Sequence, residues 1–395
     1  MRSLLAIVFL YVLSASGDPG EGMTTPTGAR SLRLLLRSLY AGLLRHHGSA
    51  APLASPVGVV IPSPGSPYVY ALRPRVFHFP SDHASHPEYR VEWWYYTGNL
   101  AAGTRPFGYQ LTLFRVGVDP AWRRSRSAWA AHDVLFAHLA LTDPARRRFL
   151  FHERIERPAL GMAGADTVRE RVWIDDWSAA LAKDGRTHEL RARAADMAFA
   201  LALAPEKPPV IHGKDGLSRK SAAYGNASHY YSLTCLSTAG WIRTGRESLA
   251  VRGTSWMDHE FSTSQLDSSQ VGWDWFSIQL DSNQELMLYQ LRHRDGSLPR
   301  SAFAIESTGR WKSPHSGAIY PHGWRVRVPS RDADLIVTPV LDDQELRGGA
   351  SGGVVYWEGS VRVSGIARGA PVHGAGYVEL TGYAGAPPGL NGSAR

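Results

Sequence analysis

The chain has 395 residues, 44% hydrophobic and 20% charged, the balance of an ordinary globular protein with material for two or three domains. A single cysteine, Cys235, excludes an intrachain disulfide and a cysteine-built metal site, and its flanks read as a strand that buries an inert thiol. The formal net charge of +8 sits largely in short arginine runs such as Arg123-Arg124-Ser125-Arg126 and Arg146-Arg147-Arg148, none in the frame of a nucleic-acid module. Nucleic acid is therefore not an expected partner, whereas weak peripheral contact with an anionic membrane surface is compatible with the charge.

The N-terminus starts Met1-Arg2, continues with about ten apolar residues from Leu4 to Leu13, and ends in small residues at 14–17. That order is the pattern of a secretory signal peptide over residues 1–17, which places the mature protein outside the cytoplasm, secreted or periplasmic. Translation from Met23 would remove it. Residues 18–71 are rich in Gly, Pro, Ser and Ala with one helical patch at 32–44, and read as a poorly ordered leader.

From residue 72 the texture is all-β, with short alternating runs punctuated by turn residues. Glu92-Trp-Trp-Tyr-Tyr-Thr-Gly98 leads to Phe107–Val116, and later runs cover 134–142, 171–175, 230–235, 272–280 and 285–292. Asp281-Ser-Asn-Gln284 between the last two reads as a hairpin turn. The Trp-rich run and alternating run near residue 92 are echoed by Gly272-Trp-Asp-Trp-Phe276 and Glu285–Leu291. The repetition suggests two similar antiparallel β-barrel domains, 72–264 and 265–388. In a strand, Trp93 and Tyr95 share one face while Glu92, Trp94 and Tyr96 share the other. Such a strand has something to cover on both sides, either core plus a ligand cavity or two packed layers.

No nucleophile elbow, zincin motif, Walker loop or paired-cysteine motif is present. Two clusters remain. His229 and Tyr231 share a face in Gly225-Asn-Ala-Ser-His-Tyr-Tyr-Ser232, and Trp256, Asp258 and Glu260 share one in Gly253-Thr-Ser-Trp-Met-Asp-His-Glu-Phe261. A carboxylate flanked by inward aromatics has its charged form disfavoured, which suits a general acid. The alternative is a buried structural acceptor for backbone or His229. His132, His138 and His259 are read as neutral structural histidines rather than metal ligands, and no cofactor is expected.

These same clusters, with Gly272-Trp-Asp-Trp275 and Tyr356-Trp-Glu-Gly359, resemble the bacterial predicted secreted hydrolases of the carotenoid 1,2-hydratase (hydroxyneurosporene synthase) superfamily over residues 75–385. The resemblance implies tandem lipocalin-like barrels and a hydrophobic isoprenoid or lipid substrate. It maps the superfamily's proposed His-x-Trp and Tyr-x-Asp onto His229-x-Tyr231 and Trp256-x-Asp258, with the two aromatics exchanged. On that mapping Asp258 protonates a C=C bond, Trp256 and Tyr231 stabilise the cation, and His229 orients the acid or takes a proton from water. Glu92, Trp93, Trp94, Tyr95, His138, Glu260, Trp273 and Trp275 would bind substrate around the junction of the domains. The competing expectations are a non-catalytic lipid or terpenoid carrier, and a secreted hydrolase whose nucleophile is not visible.

Overall fold

The computed structural model describes residues 66–118, 132–264, 266–267, 269–298, 301–349 and 353–385. The signal-peptide and Met23 readings, the helical patch and the Arg123–Arg126 run lie outside the described residues. Alternating patterns and turn residues produce what they predict: among the described residues the protein is all-β, 3% helical, with no helix of seven or more residues. Among the described residues, no helix is long and apolar enough to cross a membrane.

A 13-stranded sheet runs from Val91–Ala102 to Glu247–Ser262 and curls into a nearly closed barrel. An 8-stranded sheet runs from Gln270–Leu280 to Ala370–Leu380 and forms a half-barrel. Both Trp-rich runs open hairpins, Val91–Ala102 with Arg105–Gly117 and Gln270–Leu280 with Gln284–His293. Asn283 takes the left-handed backbone (φ 59°) that the second turn needs.

The strand Glu247–Ser262 lies between Val91–Ala102 and Ala227–Thr244. Its register sets Asp258 opposite Tyr95 and Ser232, and Glu260 opposite Trp93 and Tyr230. His259 stands opposite Trp94 and Tyr231. Side chains alternate, so each sheet face receives one of these sets. The barrel interior takes Trp94, Tyr96, Tyr231 and Met257 into its apolar core. The outer face turns Trp93, Tyr95 and Trp256 toward Trp273, Trp275 and Tyr377 of the second sheet. The run of four aromatics thus covers a core on one side and an inter-sheet layer on the other.

The sheets approach closely around Gly108, where a Cβ would stand 2.6 Å from the Tyr377 hydroxyl and 2.7 Å from Ser360 Cβ. Asn99 ties them further, accepting from the Ser360 hydroxyl at 2.6 Å and donating to the Gly376 carbonyl at 3.2 Å. Tyr68 and Ala71 are buried, so packed structure reaches back into the segment read as leader. Phe77 packs edge-on against Tyr231, ring centres 5.4 Å apart. Cys235 is only half-buried, and burial with the nearby Glu285 charge raises its thiol pKa.

Candidate functional site

Between the two sheets lies a cleft enclosing about 740 Å³ of atom-free space, its open mouth included. Trp93, Tyr95, Tyr230, Trp273, Trp275 and Tyr289 supply much of its aromatic wall. Asp258, Glu260, Glu358, Glu379 and Lys220 bring charge-capable groups into that wall. An apolar cleft with a few convergent polar groups is the usual form of a small-molecule site.

Asp258 is 4% exposed and accepts hydrogen bonds from Tyr230 Oη at 2.6 Å, Trp256 Nε1 at 2.7 Å and the Ser232 hydroxyl. None of these donors carries charge. Burial pushes Asp258 up to about 7; Ser232, Tyr230 and Trp256 offset only part of that, and the charge of Glu260 adds to the rise. Behind Ser232, His212 Nε2 meets its hydroxyl at 2.6 Å. Burial, and then the charge of Lys220, hold His212 neutral with a pKa near 3. With its hydroxyl donated to Asp258 and its side chain buried, Ser232 is not a free nucleophile for acyl transfer.

Lys220 pairs with Glu260 at 2.8 Å and lies 4.9 Å from the centre of the Tyr289 ring and 5.3 Å from that of Tyr230. Burial alone would lower its pKa, but Glu260 and neighbouring acidic groups raise it, so the ammonium stays charged. Tyr230 also accepts from Trp275 Nε1 at 3.2 Å, which ties the second sheet to the donor that holds Asp258.

Not every expected residue comes to this cleft. Trp93, Tyr95, Glu260, Trp273 and Trp275 line it beside Asp258, and Trp256 stands behind the acid as its donor. His229 and Tyr231 do not reach Asp258, because they leave the neighbouring strand Ala227–Thr244 on the face opposite to Tyr230 and Ser232. His229 Nδ1 meets the Gly216 carbonyl at 2.9 Å, and Tyr231 Oη meets His83 Nδ1 at 2.7 Å and His259 Nδ1 at 3.0 Å. The expected pairing of His229 with Asp258 is therefore corrected: Tyr230 and Ser232, their neighbours in sequence, hold the acid.

Glu92 and Trp94 also face away from the cleft. Trp94 stacks on His259 with ring centres 4.8 Å apart and donates to the His83 carbonyl at 3.0 Å. Glu92 accepts from Arg115 Nε at 3.0 Å and the Ser85 hydroxyl at 2.6 Å, and meets His86 Nδ1 and His259 Nε2, each at 3.0 Å. His138 lies buried behind the wall, its Nδ1 2.8 Å from the hydroxyl of Tyr356. His132 meets Asp133 at 2.9 Å.

Two histidine–carboxylate groups bring their donor atoms within 4.8 Å of one another, both away from the cleft. His86, Glu92 and His259 spend those atoms on one another and on the Arg115 guanidinium, the arrangement of a hydrogen-bonded network rather than of a cation site. His83, Glu170 and His188 form the group whose donor set could take a divalent cation.

The residues that sequence reasoning missed are Tyr230, Ser232, His212, Lys220, Glu358 and Glu379. Alternation assigned faces within each strand, but strand register was needed to say which faces meet. Glu358 stood in the quoted Tyr356-Trp-Glu-Gly359 motif without a role.

Fold and cleft together define a lipocalin-like, two-sheet β protein with an aromatic, carboxyl-bearing cavity between the sheets. The chain belongs to the AttH-like family, whose profile matches residues 70–383. The crystal structure of a Nitrosomonas europaea protein assigned as AttH is similar, with a TM-score of 0.71 and 34% identity, over 80% of this chain and 99% of that one. Kievitone hydratase from Nectria haematococca shares the fold, with a TM-score of 0.56 and 14% identity over 84% of this chain and 98% of that one. No curated protein matches the sequence. The resemblance read from the motifs thus holds at the level of the family.

Proposed function

We propose that the protein is a hydro-lyase-like enzyme that adds water across a C=C bond of a hydrophobic, isoprenoid-bearing molecule. One observation carries the reading. Asp258 is a buried carboxyl with neutral donors only, set among cavity aromatics, and burial keeps it proton-bearing near neutrality. Such a group can give its proton to an alkene carbon. The cation that forms would face the rings of Trp275 and Tyr95, which stand 5.2 Å apart in the wall. Desolvated aromatic faces stabilise a cation by about 2 kcal/mol each. Addition of water to that cation completes the hydration. The fold shared with a protein named as a hydratase is consistent with this chemistry. A plain carrier would have no use for a protonated carboxyl and three further acidic groups in an apolar wall.

The test is incubation with acyclic isoprenoid alkenes and prenylated phenols in H₂¹⁸O, with ¹⁸O incorporation read by mass spectrometry. Asp258→Asn removes the acidic proton and keeps the shape. Turnover should fall about 10²- to 10⁴-fold with the fold retained. A wild-type rate in that variant would overturn the proposal.

A further inference from the structure

Glu358 and Glu379 stand directly opposite each other on the neighbouring strands Val355–Ala367 and Ala370–Leu380. Both line the cleft, on the wall that the second sheet contributes. Trp275 flanks Glu379 on its other side in the register, and Trp273 Nε1 donates to Glu379 Oε2 at 2.9 Å. Glu358 is 2% exposed and its Oε1 is buried without a hydrogen-bond partner. The hydroxyls that approach the Glu358 carboxyl, those of Tyr95 and Tyr356, carry no charge.

Opposed like charges destabilise a sheet, and two carboxylates in one site cannot both ionise freely. Cations do not relieve this pair: Lys220, the ammonium in the wall, is ion-paired with Glu260. The other titratable groups facing the pair are Asp258, Glu260 and the hydroxyls of Tyr95 and Tyr356. Burial pushes Glu358 well up, with Glu379 adding to the rise and hydrogen bonds from Tyr95 and Tyr356 offsetting part of it. Burial likewise takes Glu379 to about 7 against the donor from Trp273, with the charges of Asp258 and Glu260 adding to it. The two carboxyls thus titrate together and hold a proton between them near neutrality.

We propose that Glu358 and Glu379 act as one carboxyl pair that accepts the proton of the adding water, across the cavity from Asp258. This rests on the hydration reading above. Asp258 loses its O–H proton to the alkene carbon, and the π electron pair forms the new C–H bond. A lone pair of water forms the C–O bond to the cation. One O–H bond of that water then breaks, and its proton goes to the ionised member of the pair. Passage of a proton from the pair back to Asp258 through solvent restores the protein, and the net change is addition of one water. Glu260 is the weaker choice of base because Lys220 neutralises its charge at 2.8 Å.

The experiment has two arms on the full chain. The first needs no substrate: carboxyl bands are titrated by infrared spectroscopy in an Asp258→Asn background, with and without Glu379→Gln. Removing Glu379 should lower the apparent pKa of Glu358 by at least one unit, because the Glu379 charge adds to its rise, and an unchanged titration would overturn the pair. The second arm follows ¹⁸O incorporation into the isoprenoid alkenes against pH. Glu358→Gln and Glu379→Gln should each lose about 10²- to 10⁴-fold in rate and the acid limb of the profile. Glu379→Asp, which keeps a carboxyl, should recover part of both. Wild-type rates and profiles in both Gln variants, with Asp258→Asn inactive, would overturn the role of the pair and leave the hydration reading standing. A fully active Asp258→Asn would sink both.

Discussion

Glu92 and Asp258 are both buried carboxyls, on adjacent strands of one sheet, and their environments drive them in opposite directions. Burial works against the charge of each. At Glu92, facing the barrel interior, the Arg115 charge and then hydrogen bonds from His259 and His86 override it, and the carboxylate stays ionised well below its usual range. At Asp258, facing the cleft, the partners are two hydroxyls and an indole, and burial wins. A full positive charge offsets desolvation where neutral donors do not. The interior face therefore holds its carboxylate ionised, while the cleft face leaves a carboxyl that binds its proton up to about 7.

Breaking the interior network should give the largest stability effect. Arg115→Met removes the guanidinium that contacts Glu92, Asp133 and the carbonyls of His86 and Tyr89. A buried carboxylate left without its cation costs about 3–5 kcal/mol. Urea denaturation should show that loss, and a change below 1 kcal/mol would dissolve the contrast between the faces.

The cleft face should reveal itself through pH. Asp258 binds its proton up to about 7 when folded, whereas an unfolded aspartate releases it near pH 4. Between those values the folded state holds more protons, so this group makes stability fall as pH rises, by up to about 1.4 kcal/mol per pH unit. Glu92 has the opposite sign, and its contribution is lost as pH drops below the usual carboxylate range. Asp258→Asn should therefore gain on the wild type between pH 4.5 and 7. Parallel stability curves across that window would show that Asp258 ionises normally.

The smallest effect sharpens the picture around the acid. Trp256→Phe deletes the donor 2.7 Å from Asp258 Oδ1. Losing a donor to the charged form raises the pKa, by about one unit or less. The alkaline limb of the pH profile for the proposed hydration should move to higher pH by that amount, and a shift to lower pH would contradict the hydrogen bond.

The sequence by itself determined the fold class and several of the residues that line the cleft. Alternation and turn residues specify strands, because side-chain period and backbone preference act within a few residues. They placed Trp93 with Tyr95, and Trp256 with Asp258 and Glu260, on shared faces, as found. Tertiary structure alone decided which faces meet. Ser232 rather than Tyr231 stands opposite Asp258, and a register slip of one residue would reverse that choice. Glu358 and Glu379 lie 21 positions apart in sequence and share a wall only because their strands pair in one alignment. The proton balance at Asp258 has the same origin, since it depends on burial and on partners from other strands, neither of which any local stretch of chain encodes.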